Sequence, residues 1–199
     1  MVLAKRFTLW AIFAGLTEFA SAARMTLGYR TVSPEQARQY NRNHRLVFDV
    51  SRGMGRQLGV GVYTTPGPGD WPGKEGDWHC LITARKSTLR SIPKIWIPEE
   101  YWWYSDQLYD WIQSSFPTIN MYTALRLSRI HGYEHIEQLM IPQPALSGRG
   151  LDLQVVCKEN WGDLPDTNRV DYGSWPNVGG TPQLTRLPAR RSDLTEERE

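Results

Sequence analysis

Apolar and polar positions alternate with a period of two through several short stretches of this chain and with a helical period through two others. Leu27-Gly-Tyr-Arg-Thr-Val32 reads as a first strand. Ser33-Pro-Glu-Gln36 follows as a helix start, with Ser33 as N-cap, Pro34 at the first helical position and Gln36 closing a capping box. That helix is expected to run to about Arg45. Strands are expected over 45–50, 59–65 and 78–84, separated by Gly/Pro-rich loops. Ile97-Pro-Glu-Glu-Tyr101 opens a second helix whose Tyr101, Tyr104, Leu108 and Trp111 fall on one face, a stripe read as core. Residues 124–130 fit helix or strand, whereas 135–142 and 151–158 read as strands around a Pro/Gly loop. Strands dominate the second half, and nothing follows a βαβαβ rhythm, so the fold class is α+β.

The first residues change the picture of compartment. Lys5-Arg6, the apolar run Phe7 to Leu16 and Ala20-Ser-Ala22 give a basic, an apolar and a small-residue region in the order of a secretory signal peptide, assigned to 1–22. The apolar run is shorter than the roughly 20 residues of a membrane-spanning helix. No later segment is long and uncharged enough to span a bilayer, so a secreted protein is expected. Residues 23–159 form one expected domain, and 160–199 a Gly/Pro/polar extension, partly disordered, that packs a tryptophan or two. A net charge of +2 excludes an electrostatic case for nucleic acid or a membrane surface, and no heptad run points to a coiled coil, so a monomer is expected. Cys80 and Cys157 lie in two strand-like segments; an oxidising compartment allows one long-range disulfide, and two buried thiols are the alternative.

Candidate chemistry gathers on Leu58-Gly-Val-Gly-Val-Tyr-Thr-Thr65. Gly59 and Gly61 let the backbone come close to a ligand or a neighbouring strand, and Tyr63 supplies a ring with a hydrogen-bonding tip. Taken alone, such a tyrosine is more often simply a strand residue with a wet hydroxyl.

Three segments in order resemble the motifs of the ADP-ribosyltransferase fold shared by secreted ADP-ribosylating toxins and poly-ADP-ribose polymerases. Tyr29-Arg30-Thr31 is similar to the first-strand motif in which an arginine meets NAD. Leu58 to Thr65 resembles the Gly-x-Gly-x-Tyr strand of one branch, while Thr64-Thr65 echoes the Ser-Thr-Ser strand of the other. Glu137-Gln-Leu-Met-Ile-Pro142 resembles the strand of the catalytic glutamate. The resemblance implies two packed small antiparallel or mixed sheets, with helices flanking the first half. It also implies NAD as substrate, bound by Arg30, Thr31, Gly61, Tyr63, Thr64 and Thr65, with Tyr63 stacked on nicotinamide. A carboxylate would stabilise the oxocarbenium-like ribose as the nicotinamide bond breaks, the role assigned to Glu137. Aligning the family's Val-Leu-Leu-Pro with Leu139 to Pro142 puts Gln138 at that position instead, and neighbouring strand residues point to opposite faces. A glutamine binds a ribose hydroxyl but supplies no negative charge.

The implied function is a secreted toxin or effector that cleaves NAD and transfers ADP-ribose to a target protein of a host or competitor cell, or hydrolyses NAD. The alternative is a catalytically inactive effector that keeps the fold and acts by binding. A third reading takes His131, Glu134 and His135 as the H-x-x-E-H pattern of an inverted zinc metalloprotease. Gly132 and the lack of a third ligand argue against it, and no metal is assigned.

Overall fold

Ser33 marks the junction of the first strand and the first helix, as its chemistry demands. Its hydroxyl accepts the Gln36 N–H at 3.4 Å, and Pro34 begins the helix with the φ it is locked to. The computed structural model describes residues 23–48, 56–146 and 150–182; the proposed signal peptide lies outside them. Helix α1 (Pro34–Asn43) ends at His44 in the left-handed region, slightly before the expected Arg45. Gln36 does not close a box. Its amide donates to the Tyr40 hydroxyl one turn on, inside the buried face formed by Gln36, Ala37 and Tyr40. Asn41 then clamps the helix to a strand, donating to the Cys157 carbonyl at 3.0 Å and accepting the Cys157 N–H at 2.8 Å.

The protein is mixed α+β with two sheets. β1 (Arg24–Val32), β3 (Trp78–Arg85) and β7 (Gln154–Lys158) form an antiparallel three-stranded sheet in the order β1-β3-β7. Cys80 stands directly opposite Cys157 in its register, and the two are joined as a disulfide. The second sheet, in the order β2-β6-β5-β4-β8, comprises β2 (Gly61–Thr64), β4 (Lys94–Trp96), β5 (Leu125–Ile130), β6 (Tyr133–Pro142) and β8 (Val178–Gly179). Residues 124–130 thus take the strand alternative, with Leu125 and Leu127 on one face and Arg126 and Ser128 on the other. Among 45–50, residues 45–48 form no strand and 49–50 lie outside the described residues. The expected single helix after Ile97 is broken by Trp103, whose φ of 72° no helix accommodates. A 3-10 turn at Glu99–Tyr101 precedes it, and α3 (Ser105–Ser115) follows. The stripe is correspondingly shorter: Leu108 and Ile112 are buried, Trp111 stacks on Tyr101 at 5.0 Å, and Tyr104 is exposed. Short helices α2 (Lys86–Ser91) and α4 (Gln143–Leu146) complete the framework.

The main core lies between the sheets, where Val32, Cys80, Ile82 and Val155 meet Val62, Leu125, Leu127, Leu139 and Ile141. A second core under the outer face of the larger sheet joins Leu58, Ile95, Met140 and α3. A backbone bridge joins the two sheets, where Tyr29 and Thr65 exchange two hydrogen bonds of 2.8 Å.

The boundary expected at 159/160 is not a break in packing. Leu164, Tyr172 and Trp175 are buried, the Tyr29 hydroxyl donates to the Asn168 carbonyl at 2.8 Å, and β8 adds to the larger sheet beside β4. Residues 160–182 therefore belong to the domain, and 183–199 lie outside the described residues.

Lys94 pins this C-terminal strand. It is fully buried with no carboxylate partner among the described residues, and its ammonium donates to the carbonyls of Ile92 and Pro176 at 2.9 and 3.2 Å and lies 5.6 Å from the Trp175 ring centre. Burial pulls its pKa from the ordinary 10.5 down to about 8. Between those values the unfolded chain binds the extra proton, so stability rises with pH. Relative to Lys94→Met, the wild type is expected to gain ~2 kcal/mol from pH 8 to pH 10, measured by urea denaturation. A difference between the two proteins that does not change with pH would refute the charge on Lys94 as the cause.

Candidate functional site

The three motif segments converge at the junction of the sheets. The Tyr29–Thr65 bridge brings β1 alongside the end of β2, and the Arg30 guanidinium donates to the Tyr63 carbonyl at 2.9 Å. Arg30 Nε is buried without a hydrogen-bond partner.

Tyr63 is not an open stacking surface. Its hydroxyl accepts the Leu58 N–H and donates to the Gly59 carbonyl, both at 2.8 Å, so it closes the turn that leads into its own strand. The ring packs against the second core with Leu58 and Met140, and burial pushes the phenol well above its ordinary pKa. The other proposed NAD-binding hydroxyls are also engaged within the fold. Thr31 Oγ1 donates to the Trp71 carbonyl at 2.9 Å, and Thr65 Oγ1 donates to the Gly67 carbonyl at 3.2 Å. Thr64 Oγ1 lies 3.4 Å from both the Leu139 carbonyl and the Tyr172 hydroxyl, between the sheets. Gly61 has its close neighbour in β6: a Cβ there would stand 2.2 Å from the Ile141 carbonyl oxygen.

Register decides which of the two adjacent residues on β6 faces Tyr63. Tyr63 pairs with Met140, Ser128 pairs with Gln138, and residues two apart on a strand share a face. Gln138 is therefore on the Tyr63 face, and Glu137 is on the other with Leu139 and Arg129. Gln138 is buried, its amide donating to Ser128 Oγ at 3.0 Å and to the Arg129 carbonyl at 3.3 Å. Gln57 reaches the same two acceptors at 3.2 and 2.7 Å and accepts the His131 N–H at 3.1 Å. The sheet end is thus held by two glutamines around one serine, a neutral network. Glu137 is half-buried, and desolvation raises its carboxyl above the usual range against the attraction of Arg129 and Arg169. The catalytic role assigned to Glu137 would need it to turn to the opposite face from where its strand directs it.

The zinc reading fails on secondary structure. His131 and Gly132 form the turn between β5 and β6, with Gly132 at φ 79°, while Glu134 and His135 lie on β6, so the histidines are not one helical turn apart. Glu134 accepts the Gly132 N–H at 2.8 Å and closes that turn, which also lowers its pKa. No group of three metal-binding side chains occurs among the described residues, and no described helix is long and apolar enough to cross a membrane.

Two features of this end escaped the sequence reading. Arg126 is buried, donating to the carbonyls of Leu58 (2.6 Å) and Met121 (3.1 Å) and lying 4.8 Å from the Tyr109 ring centre. An isolated arginine in a strand carries no sequence signal for this. The second is a rim of rings around the hairpin turn: Trp71 against Tyr133 at 5.8 Å, and Trp103 against His131 at 6.0 Å. Trp71, Trp103 and Tyr133 are each more than two-fifths exposed.

The family of unknown function DUF5910 matches residues 56–181. The chain belongs to that family. The DUF5910 span runs from the turn before β2 to the end of β8, so it includes Tyr63, Glu137, Gln138 and the C-terminal segment, and it leaves out β1 and α1. No curated protein matches the chain, and no solved structure matches it.

Proposed function

We propose that this DUF5910 protein is a secreted effector with an ADP-ribosyltransferase-like scaffold that acts by binding a target protein rather than by turning over NAD. The observation that carries the reading is on β6, where a neutral Gln138, its amide hydrogen-bonded to Ser128 and Arg129, shares the Tyr63 face and the carboxylate of Glu137 does not. A developing oxocarbenium ion needs an opposed negative charge, which an amide does not supply. The scaffold resemblance draws support from the Arg30–Tyr63 contact, which joins the first two motif segments across the sheets. Secretion draws support from the disulfide, a bond that persists in oxidising compartments. The exposed rings of Trp71, Trp103 and Tyr133 form the kind of aromatic patch that binding energy concentrates on, and the left-handed backbone of Trp103 holds one of them out.

The second reading, a transferase or NAD hydrolase, is favoured by the presence of a half-buried carboxyl, Glu137, on β6, whose pKa desolvation raises above the usual range. The two readings separate when chain lacking residues 1–22 is incubated with labelled NAD and cell lysate, beside Glu137→Ala and Gln138→Ala. The binding reading expects neither label transfer nor nicotinamide release above buffer from any of the three. Wild-type turnover that disappears in either variant would overturn it and name the residue responsible.

A further inference from the structure

A cleft of about 570 Å³ opens where the start of β1, helix α2 and residues 166–176 meet, away from the Tyr63 face of the larger sheet. Its walls carry four cations, Arg24, Lys86, Arg90 and Arg169, against two carboxylates, Asp166 and Asp171. Both carboxylates are already engaged: Asp166 accepts the Thr26 hydroxyl at 2.6 Å and the Asn168 N–H at 3.0 Å, and Asp171 accepts the Gly173 N–H at 3.0 Å. Two of the cations are fixed by acids outside the cleft lining, Arg24 by Asp152 at 3.1 Å and Arg169 by Asp70 at 2.8 Å. Lys86 and Arg90 differ. They stand one turn apart on α2, where side chains four residues apart share a face, and neither has an ion-pair partner among the described residues.

Beside these charges the lining includes the apolar side chains of Met25, Val170, Trp175 and Pro176, with Leu89 buried beneath them. The Trp175 ring is fixed in place by Tyr172, edge-on at 4.9 Å, and by the Lys94 ammonium. Unpaired cations above a rigid aromatic and aliphatic floor do not suit a neutral ligand, which leaves the charges idle. They suit a bare inorganic anion no better, since it leaves the floor in water. The volume falls within the range of clefts that hold small organic molecules.

We infer that this cleft is a binding site for a small amphipathic anion, a carboxylate, sulfonate or phosphate carried on a flat apolar ring. The anionic group meets Lys86 and Arg90, and the ring lies on Met25, Val170 and Trp175. The proposal does not depend on NAD chemistry, and its failure would leave the reading of β6 untouched.

The test uses 8-anilinonaphthalene-1-sulfonate, an aromatic sulfonate whose fluorescence rises on binding, and its uncharged relative N-phenyl-1-naphthylamine. The wild type is expected to bind the sulfonate saturably at one site per chain, more weakly as salt is raised. Lys86→Glu with Arg90→Glu is expected to weaken it at least tenfold and to leave the uncharged dye unchanged. Both side chains project into solvent, so the fold is expected to persist. Lys86→Gln with Arg90→Gln, expected to weaken the sulfonate about threefold, covers the case in which it does not. Sulfonate binding that is non-saturable, or unchanged in a folded variant, would refute the site, and so would equal loss of both dyes.

Discussion

Replacing Cys80 and Cys157 together by alanine is expected to lower the unfolding free energy by about 4 to 5 kcal/mol. The two cysteines are 77 residues apart in sequence, and for a loop of that length the chain-entropy model puts the cross-link's constraint on the unfolded state at roughly 4 to 5 kcal/mol. The register of β3 and β7 sets the two residues opposite each other in the folded sheet. Both side chains are essentially inaccessible within the core between the sheets, so their loss also leaves a small void beside Ile82 and Val155. Urea denaturation of oxidised wild type and double variant gives the difference directly. A loss below about 1 kcal/mol would mean that the unfolded chain is already compact around this pair.

The disulfide also shows where sequence was legible and where it was not. Both cysteines sit in segments whose alternation marks them as strands, yet nothing local says that those strands are neighbours, because pairing across 77 residues is a property of topology. The same limit applied to the site. The strand character of 59–65 and 135–142 could be read from periodicity and glycine spacing, and the start of α1 from its Ser33-Pro34 cap. Which residue of a strand faces which core could not, since a one-residue shift in register exchanges the two faces. Glu137 and Gln138 differ by that one residue. Trp103 was missed for a different reason: a tryptophan at positive φ contradicts local preference, and only the surrounding structure holds it there. Likewise the polar composition of 160–182 reads as an extension, but a few large residues, Leu164, Tyr172 and Trp175, carry that segment into the core.

Gly61→Ala is expected to be the most damaging single substitution on β2, lowering stability by roughly 3 to 5 kcal/mol. The glycine spacing of 59–61 admitted two explanations, close approach of a ligand or of a neighbouring strand, and the structure supplies the second. A Cβ at Gly61 would meet the Ile141 carbonyl oxygen at 2.2 Å and the Met140 sulfur at 2.4 Å. The methionine can rotate away, but the carbonyl belongs to the backbone of β6, which is held on its other side by β5. Relief therefore requires moving β2 off its partner and disturbing the Tyr63–Met140 register on which the outer core depends. Gly162→Ala is the control, because a Cβ there has nothing within 4 Å and the backbone is not left-handed. It is expected to change stability by no more than about 0.5 kcal/mol. Thermal or urea unfolding of both variants separates the steric contribution from the general effect of removing a glycine. If Gly61→Ala proved as stable as Gly162→Ala, β2 would not lie as close to β6 as its register requires, and the assignment of Gln138 rather than Glu137 to the Tyr63 face would lose its basis.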